Sequence, residues 1–261
     1  MKVTLNTLKK LKGKEKITAI TAYDALFGGI FDGEVDIILV GDSLSMSFGG
    51  NSDTLPLSLQ DMLYHAKAVR RAVKSSFLIA DMPFGTYNTI DEALHNATFL
   101  YKKSGVDALK LEVNESKIPI IKELVNNGFA IMSHIGLMPQ FFRFDGGYKI
   151  KGKNNDEKQK LLDLALKLQD CGVFSLLIEA TKSDIATEIT KKLEIPTIGI
   201  GSGNGTDGQI LVWSDAFGFY DEFSPKFVRK YLNGKDLLKE AINKYANDVK
   251  SSNFPNKDES Y

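Results

Sequence analysis

The chain has 261 residues, 43% hydrophobic and 25% charged, with 33 Lys and Arg against 33 Asp and Glu. That length spans one barrel or one doubly wound sheet, and the composition excludes a chain whose main state is disorder. With no basic excess, binding to nucleic acid or to an anionic membrane surface is not expected, and a single cysteine, Cys171, excludes an internal disulfide framework and a multi-thiolate metal site.

Met1 to Lys16 is basic without an apolar stretch, so it does not read as a secretory signal. Ile17 to Thr21 is the first of a series of short apolar runs, followed by Val35 to Gly41. Leu59, Met62, Leu63, Ala66, Val69 and Val73 then recur at i, i+3, i+4, i+7 spacing and predict a helix ahead of the strand Phe77 to Asp81. Thr89 and Glu92 have the spacing of a capping box opening the next helix. Lys103-Ser104-Gly105 leads into Val106 to Glu112, and Asn126-Asn127-Gly128 into Phe129 to His134. After a helical pattern through Leu161, Leu164, Ala165 and Leu168, Asp170-Cys171-Gly172 leads into Val173 to Glu179. Each of these glycines suits the left-handed position that closes a helix. Thr181 with Asp184 repeats the capping spacing, and Ile195 to Gly201 and Gln209 to Trp213 complete eight candidate strands. None of the apolar runs approaches the about 20 residues of a membrane-spanning helix, and a cytoplasmic protein is expected.

Apolar strands alternating with helices imply a parallel sheet buried on both faces. Eight such units predict an α/β fold, a closed (β/α)8 TIM barrel, as a single domain over 1–261. Ser224-Pro225 reads as an N-cap with Pro at the first helical position. It predicts two extra C-terminal helices over about 224–250, followed by a frayed polar tail at 251–261.

Parallel barrels collect their chemistry at the C-terminal ends of the strands. Those ends carry Asp42 and Ser43, Asp81, Lys110 with Glu112, His134, and Glu179. Strand alternation puts Lys110 and Glu112 on one face, and burying both charges without partners would be costly. Asp42, Asp81 and Glu112 offer hard oxygen ligands for one divalent ion, directly or through water, and with no thiolate cluster or paired histidines that chemistry suggests Mg²⁺ before Zn²⁺. Against this stands the commoner fate of a single strand-end acid, which is to cap a helix or pair with a Lys or Arg. Glu179 ends the apolar run from Phe174, a setting that raises a carboxylate pKa and suits general-base work, with a helix N-terminal acid as its rival reading. His134 is a candidate to hydrogen-bond an anionic substrate or intermediate, while His65 and His95 lie inside helical patterns. The loop Gly199 to Gly208 matches GxGxxG without the helix that fingerprint needs, and reads as a tight mouth loop that brings backbone close to a ligand. Cys171 reads as a packed thiol.

Several motifs taken in order carry a resemblance. Ile17 to Asp24, Val40-Gly41-Asp42-Ser43-Leu44, Thr54-Leu55-Pro56, Ala80-Asp81-Met82-Pro83-Phe84, Lys110-Leu111-Glu112, His134 to Gln140, Gly146-Gly147-Tyr148-Lys149, Ile198 to Gln209 and Asp215-Ala216-Phe217-Gly218 closely resemble the ketopantoate hydroxymethyltransferase family. The match runs from about residue 2 to residue 230. The resemblance implies a TIM-barrel enzyme of pantothenate biosynthesis that transfers a one-carbon unit from 5,10-methylenetetrahydrofolate to 3-methyl-2-oxobutanoate, giving 2-dehydropantoate. It further implies Mg²⁺ dependence and a homo-oligomer, typically a decamer. Carried over by motif, Asp42, Asp81 and Glu112 match the metal-site acids, Asp42, Ser43, Asp81 and Lys110 the residues on the keto acid, and Glu179 the proton acceptor. Ser45 and Ser47 depart from the family pattern, which often has Gly and Thr there. The rival enzyme reading is another Mg²⁺-dependent 2-oxo-acid enzyme of the phosphoenolpyruvate mutase/isocitrate lyase class. It would not need folate, and Cys171 is badly placed for a lyase cysteine loop.

Overall fold

A computed structural model describes residues 2–220 and 225–261, in two compact units divided between Val212 and Trp213. In the first, β1 (Ile17–Thr21), β2 (Ile37–Val40), β3 (Phe77–Asp81), β4 (Ala108–Glu112), β5 (Ile131–Gly136), β6 (Ser175–Glu179), β7 (Thr197–Ile200) and β8 (Gly208–Leu211) pair in sequence order and close into a parallel barrel. Five of the strands start about two residues later than the apolar runs suggest. In two of them an acid at the strand foot takes backbone donors of the neighbouring strand: Asp36 accepts the Thr18 N–H and Asp107 the Leu78 N–H.

The helices of this unit are α1 (Leu5–Leu11), α2 (Ala25–Phe31), α3 (Leu44–Ser47), α4 (Leu59–Ala72), α5 (Ile90–Ser104), α6 (Ile118–Asn126), α7 (Asn155–Asp170) and α8 (Ser183–Lys192). Thr89 caps α5 through the Glu92 N–H, but the Glu92 carboxylate reaches back to Asn88 rather than Thr89, so the predicted box is only half formed. Thr181 does not cap α8. Lys182 holds that position, and the Thr181 hydroxyl donates instead to the Glu179 carbonyl.

Alternation along the strands splits the barrel interior into two layers. The lower is apolar, built from Ile17, Ile37, Leu39, Phe77, Ile79, Ala108, Met132, Phe174, Leu177, Ile198 and Ile210, with Leu8 of α1 packed into the same cluster. The cluster runs up to Ile200 at the end of β7, but Leu8 shares it with Ile17, Ile37, Phe77 and Ala108, the first residues of their strands, so α1 sits as a plug at the N-terminal end. The upper layer, one step further along the same faces, is ionisable: Asp81 beyond Ile79, Lys110 and Glu112 beyond Ala108, His134 beyond Met132, and Glu179 beyond Leu177.

The connection between β7 and β8 has no helix. Residues 201–207 descend the barrel wall to the strand feet, where Asp207 pairs with Lys12 at 2.7 Å. The glycines here serve that descent. A Cβ on Gly203 would lie 2.4 Å from the Ser183 Cβ, and one on Gly205 1.9 Å from the Thr187 Oγ1, so both press on α8. The expectation of a mouth loop approaching a ligand is thereby corrected for these glycines.

The second unit, Trp213–Tyr261, holds α9 (Trp213–Ala216) and α10 (Gly234–Lys250). Of the two helices predicted over 224–250, the described residues form one, α10. Ser224 lies outside the described residues, and Pro225 opens a turn closed by the Val228 N–H on the Pro225 carbonyl. The Tyr231 N–H then bonds to the Ala216 carbonyl, which holds this stretch extended. The tail is more ordered than a frayed end, since Asn256 and Glu259 form a reciprocal cap around a 3-10 turn. Among the described residues, no helix is long and apolar enough to cross a membrane.

Candidate active site

Four neighbouring strand ends bring Asp81, Lys110, Glu112, His134 and Glu179 together, and the turn after β2 adds Asp42 and Ser43. The Lys110 Nζ lies 2.7 Å from the Asp81 Oδ1, both side chains almost fully buried. The other Asp81 oxygen accepts the Asp42 backbone N–H at 2.8 Å. Asp81 is therefore no helix cap: it ties the β2 turn to the β3 end. Burial drives its pKa up to about 7 against the pull of Lys110, with the nearby Asp42 carboxylate adding to the rise. For Lys110, burial works against the ammonium, but Asp81, Asp42 and Glu112 outweigh it, and the amine stays charged with a raised pKa.

His134 is wedged between three of these groups. Its Nδ1 lies 3.5 Å from the Lys110 Nζ and 3.6 Å from the Glu112 Oε1, and its Nε2 lies 3.4 Å from the Glu179 Oε2. Burial first and the Lys110 ammonium second hold its pKa well below the ordinary value, so the ring is neutral. The Lys110 ammonium can only donate towards Nδ1, whereas the Glu112 carboxylate at the same nitrogen can only accept, and Nε2 has no hydrogen-bond partner.

Glu112 and Glu179 differ in their access to solvent. The Glu112 side chain is 1% exposed, and its Oε1 has no hydrogen-bond partner. The Glu179 side chain is 19% exposed at the mouth. Burial, reinforced by Asp42 and Asp81 and opposed by Lys110, lifts the Glu179 pKa to about 8. Its position is fixed from both sides. Gly136 on β5 has φ +97°, and a Cβ there would stand 2.3 Å from the Glu179 carbonyl oxygen, so only glycine lets the two strands approach this closely. Ala180, next in chain, sits at φ 42°, a region costly to residues with a Cβ; its N–H bonds to the Ile200 carbonyl and its carbonyl accepts from the Lys151 N–H. Glu179 is thus not a helix N-terminal acid, as α8 begins four residues later.

Ser43 is half-buried, and its Oγ lies 2.7 Å from the Tyr23 hydroxyl. His65 meets the Tyr23 carbonyl at 2.5 Å and so supports the site from α4. Two buried residues without an assigned role in the sequence stand at the centre: Gln140, whose Nε2 lies 2.8 Å from the Asp42 Oδ2, and Tyr87, which donates to the Gln140 Oε1 at 2.5 Å. The only signal for Gln140 is a polar residue closing the otherwise apolar Leu137-Met138-Pro139; for Tyr87 there is none. Arg143 reaches across to the buried Asp53 at 2.9 Å, and the departure Ser45 donates to the Asp53 carbonyl. Cys171 is half-buried on the far side of a helix end, and burial raises its thiol pKa, as befits a packed thiol.

The acids supply only oxygen, the unpartnered Glu112 Oε1 marks a place a cation would satisfy, and burial first, with neighbouring acids adding to it, raises the pKa of Glu112 and Glu179. That donor set fits a hard divalent ion. Among the described residues no three His, Cys, Asp or Glu side chains close around an ion by themselves.

A family model described as ketopantoate hydroxymethyltransferase matches residues 2–257. Proteins named 3-methyl-2-oxobutanoate hydroxymethyltransferase match nearly end to end: one from Helicobacter hepaticus is 62% identical over 100% of this chain and 98% of its own. One from Wolinella succinogenes is 53% identical over 99% of each. The chain belongs to the ketopantoate hydroxymethyltransferase family. Solved structures similar to this hydroxymethyltransferase in fold include a phosphonopyruvate hydrolase complex with oxalate and Mg²⁺ (TM-score 0.62, 14% identity, 98% of this chain and 93% of that one). Another is 2,3-dimethylmalate lyase, a member of the PEP mutase/isocitrate lyase superfamily (TM-score 0.62, 16% identity, 95% and 89%). They share the TIM barrel, while the full-length sequence identity lies with the hydroxymethyltransferases, so the mutase/lyase reading fits less well.

Proposed function

We infer that this protein transfers a hydroxymethyl group to 3-methyl-2-oxobutanoate, giving 2-dehydropantoate, with 5,10-methylenetetrahydrofolate as the one-carbon donor. The observation that carries the reading is the exposed edge of Glu179, the one site carboxylate that reaches the mouth, beside a neutral His134 and a charged Lys110. Glu179 removes the C3 proton of the keto acid. Lys110 places positive charge where the enolate oxygen develops, and the neutral His134 ring stands beside the Glu179 carboxylate, with its Nε2 3.4 Å from the Glu179 Oε2. The enolate carbon attacks the methylene of the folate iminium; water then supplies the hydroxyl oxygen and tetrahydrofolate leaves. By the family resemblance, Ser43 and Asp42, with Asp81 and Lys110, would contact the keto acid. Mg²⁺ held by Asp42 and Asp81, with Glu112 directly or through water, supplies Lewis acidity to the 2-oxo acid when bound.

The test is C3 proton exchange of 3-methyl-2-oxobutanoate in D₂O, followed by NMR with and without Mg²⁺ and then with methylenetetrahydrofolate. Metal-dependent exchange followed by 2-dehydropantoate is the expected result, and no exchange with any divalent ion overturns the reading. Glu179→Gln should lose on the order of 10²- to 10⁴-fold in exchange rate. The family resemblance further supports a cytoplasmic homo-oligomer, a decamer, which light scattering on the purified protein checks. The exposed Leu237, Leu238, Ile242 and Tyr245 of α10 offer apolar surface for such an assembly.

A further inference from the structure

Gln140 is 3% exposed, and three of the four hydrogen-bonding positions of its side chain are used. Its Nε2 donates to the Asp42 Oδ2 at 2.8 Å and to the Met82 carbonyl at 3.0 Å, while its Oε1 accepts from the Tyr87 hydroxyl at 2.5 Å. Its backbone N–H donates to the Glu112 Oε2 at 2.9 Å. The Asp42 carboxylate and the Met82 carbonyl can only accept, so both must meet the NH₂ end, and the amide can be oriented in only one way. The short 3-10 turn Pro139–Phe141 that carries Gln140 has Pro at its start, which fixes the direction of the backbone N–H.

The consequence lies in which oxygens are taken. Gln140 occupies one oxygen of Asp42 and one of Glu112, groups contributed by β4 and the turn after β2, and leaves the Glu112 Oε1 unpartnered and buried. Two acids of like charge in a dry site would otherwise turn away from each other or take up protons.

We propose that Gln140, held by Tyr87, is a positioning residue that fixes the rotamers of Asp42 and Glu112 so that one oxygen of each stays free for a divalent cation. This rests on the metal-assisted reading above. Gln140 makes its contacts to the acids Asp42 and Glu112 themselves. It acts through the two acids, as the hydrogen-bond partners of metal ligands do in general.

The experiment is a Mn²⁺ titration without substrate, read by the electron paramagnetic resonance of the free ion, on wild type and Gln140→Met, which keeps the volume and removes both donors. Gln140→Met is expected to raise the Mn²⁺ dissociation constant about 10- to 100-fold. It should also raise the Mg²⁺ concentration for half-maximal proton exchange in parallel, while kcat at saturating Mg²⁺ changes far less. A residue that merely filled space would lower the melting temperature and leave the metal curve in place. Unchanged Mn²⁺ affinity in a folded Gln140→Met protein overturns the proposal. If Gln140→Met does not fold, Tyr87→Phe, which deletes one hydroxyl, decides: a rise in the Mn²⁺ dissociation constant supports the role, and no change overturns it. Wild-type protein that binds no Mn²⁺ would instead overturn the metal reading beneath it, a result distinct from an unaltered variant.

Discussion

Glu112 and Glu179 are the same chemical group at the ends of two strands, yet only Glu179 reaches solvent, and that difference assigns their roles. A base with a pKa of about 8 is protonated in much of the free enzyme at neutral pH. The value of kcat/KM for proton exchange is therefore expected to rise with pH until about 8 and then level, with that limb absent in Glu179→Gln. The same group affects stability with the opposite sign. A carboxyl whose folded-state pKa lies above its unfolded value of 4.5 binds more protons when folded, so its contribution to stability is full below about 4.5 and is lost as pH rises through about 8. The urea midpoint of metal-free wild type should accordingly fall relative to Glu179→Gln over that interval, and a wild-type midpoint that climbs relative to the variant would contradict the burial-driven shift.

Among the elements, β5 and β6 carry the tightest constraint, because Gly136 lets the backbone of β5 approach the carbonyl of Glu179. Gly136→Ala combines a positive φ with a Cβ 2.3 Å from that oxygen. The backbone conformation alone should cost about 1–3 kcal/mol in urea denaturation. Displacement of the base should lower kcat on the order of 10²-fold, because reacting groups tolerate little misplacement. At the other end of the barrel, α1 should behave oppositely. Leu8→Ala removes a side chain 1% exposed in the apolar floor and should cost about 2–5 kcal/mol while leaving kcat of the folded protein unchanged. A matching loss of kcat would show that floor and site are coupled.

For the molecule as a whole, the barrel was legible in the sequence because parallel strands buried on both faces write near-continuous apolar runs, and helices between them write a different period. The strand-end acids, Lys110, His134 and Glu179 were legible for a related reason: an ionisable residue that ends such a run has nowhere to go but the mouth. Gln140 and Tyr87 were not, since a neutral polar side chain and an aromatic ring in loops carry no period, and only the fold shows that they meet Asp42. The Gly203 and Gly205 pair was misread because close approach to α8 and close approach to a ligand demand the same residue. Pro225 was misread because an N-cap signal is equally a turn signal until tertiary hydrogen bonds decide.

The plug that α1 makes has a kinetic corollary. On the proposed reaction, a barrel plugged at one end is a cup with a single doorway, so a small keto acid that is to reach the buried Asp81 and Lys110 is expected to precede a larger folate donor. Binding is then compulsorily ordered, and on the way out tetrahydrofolate departs before 2-dehydropantoate. Product inhibition distinguishes the cases: 2-dehydropantoate should compete with the keto acid and not with the folate, whereas random access would make each product competitive with both substrates.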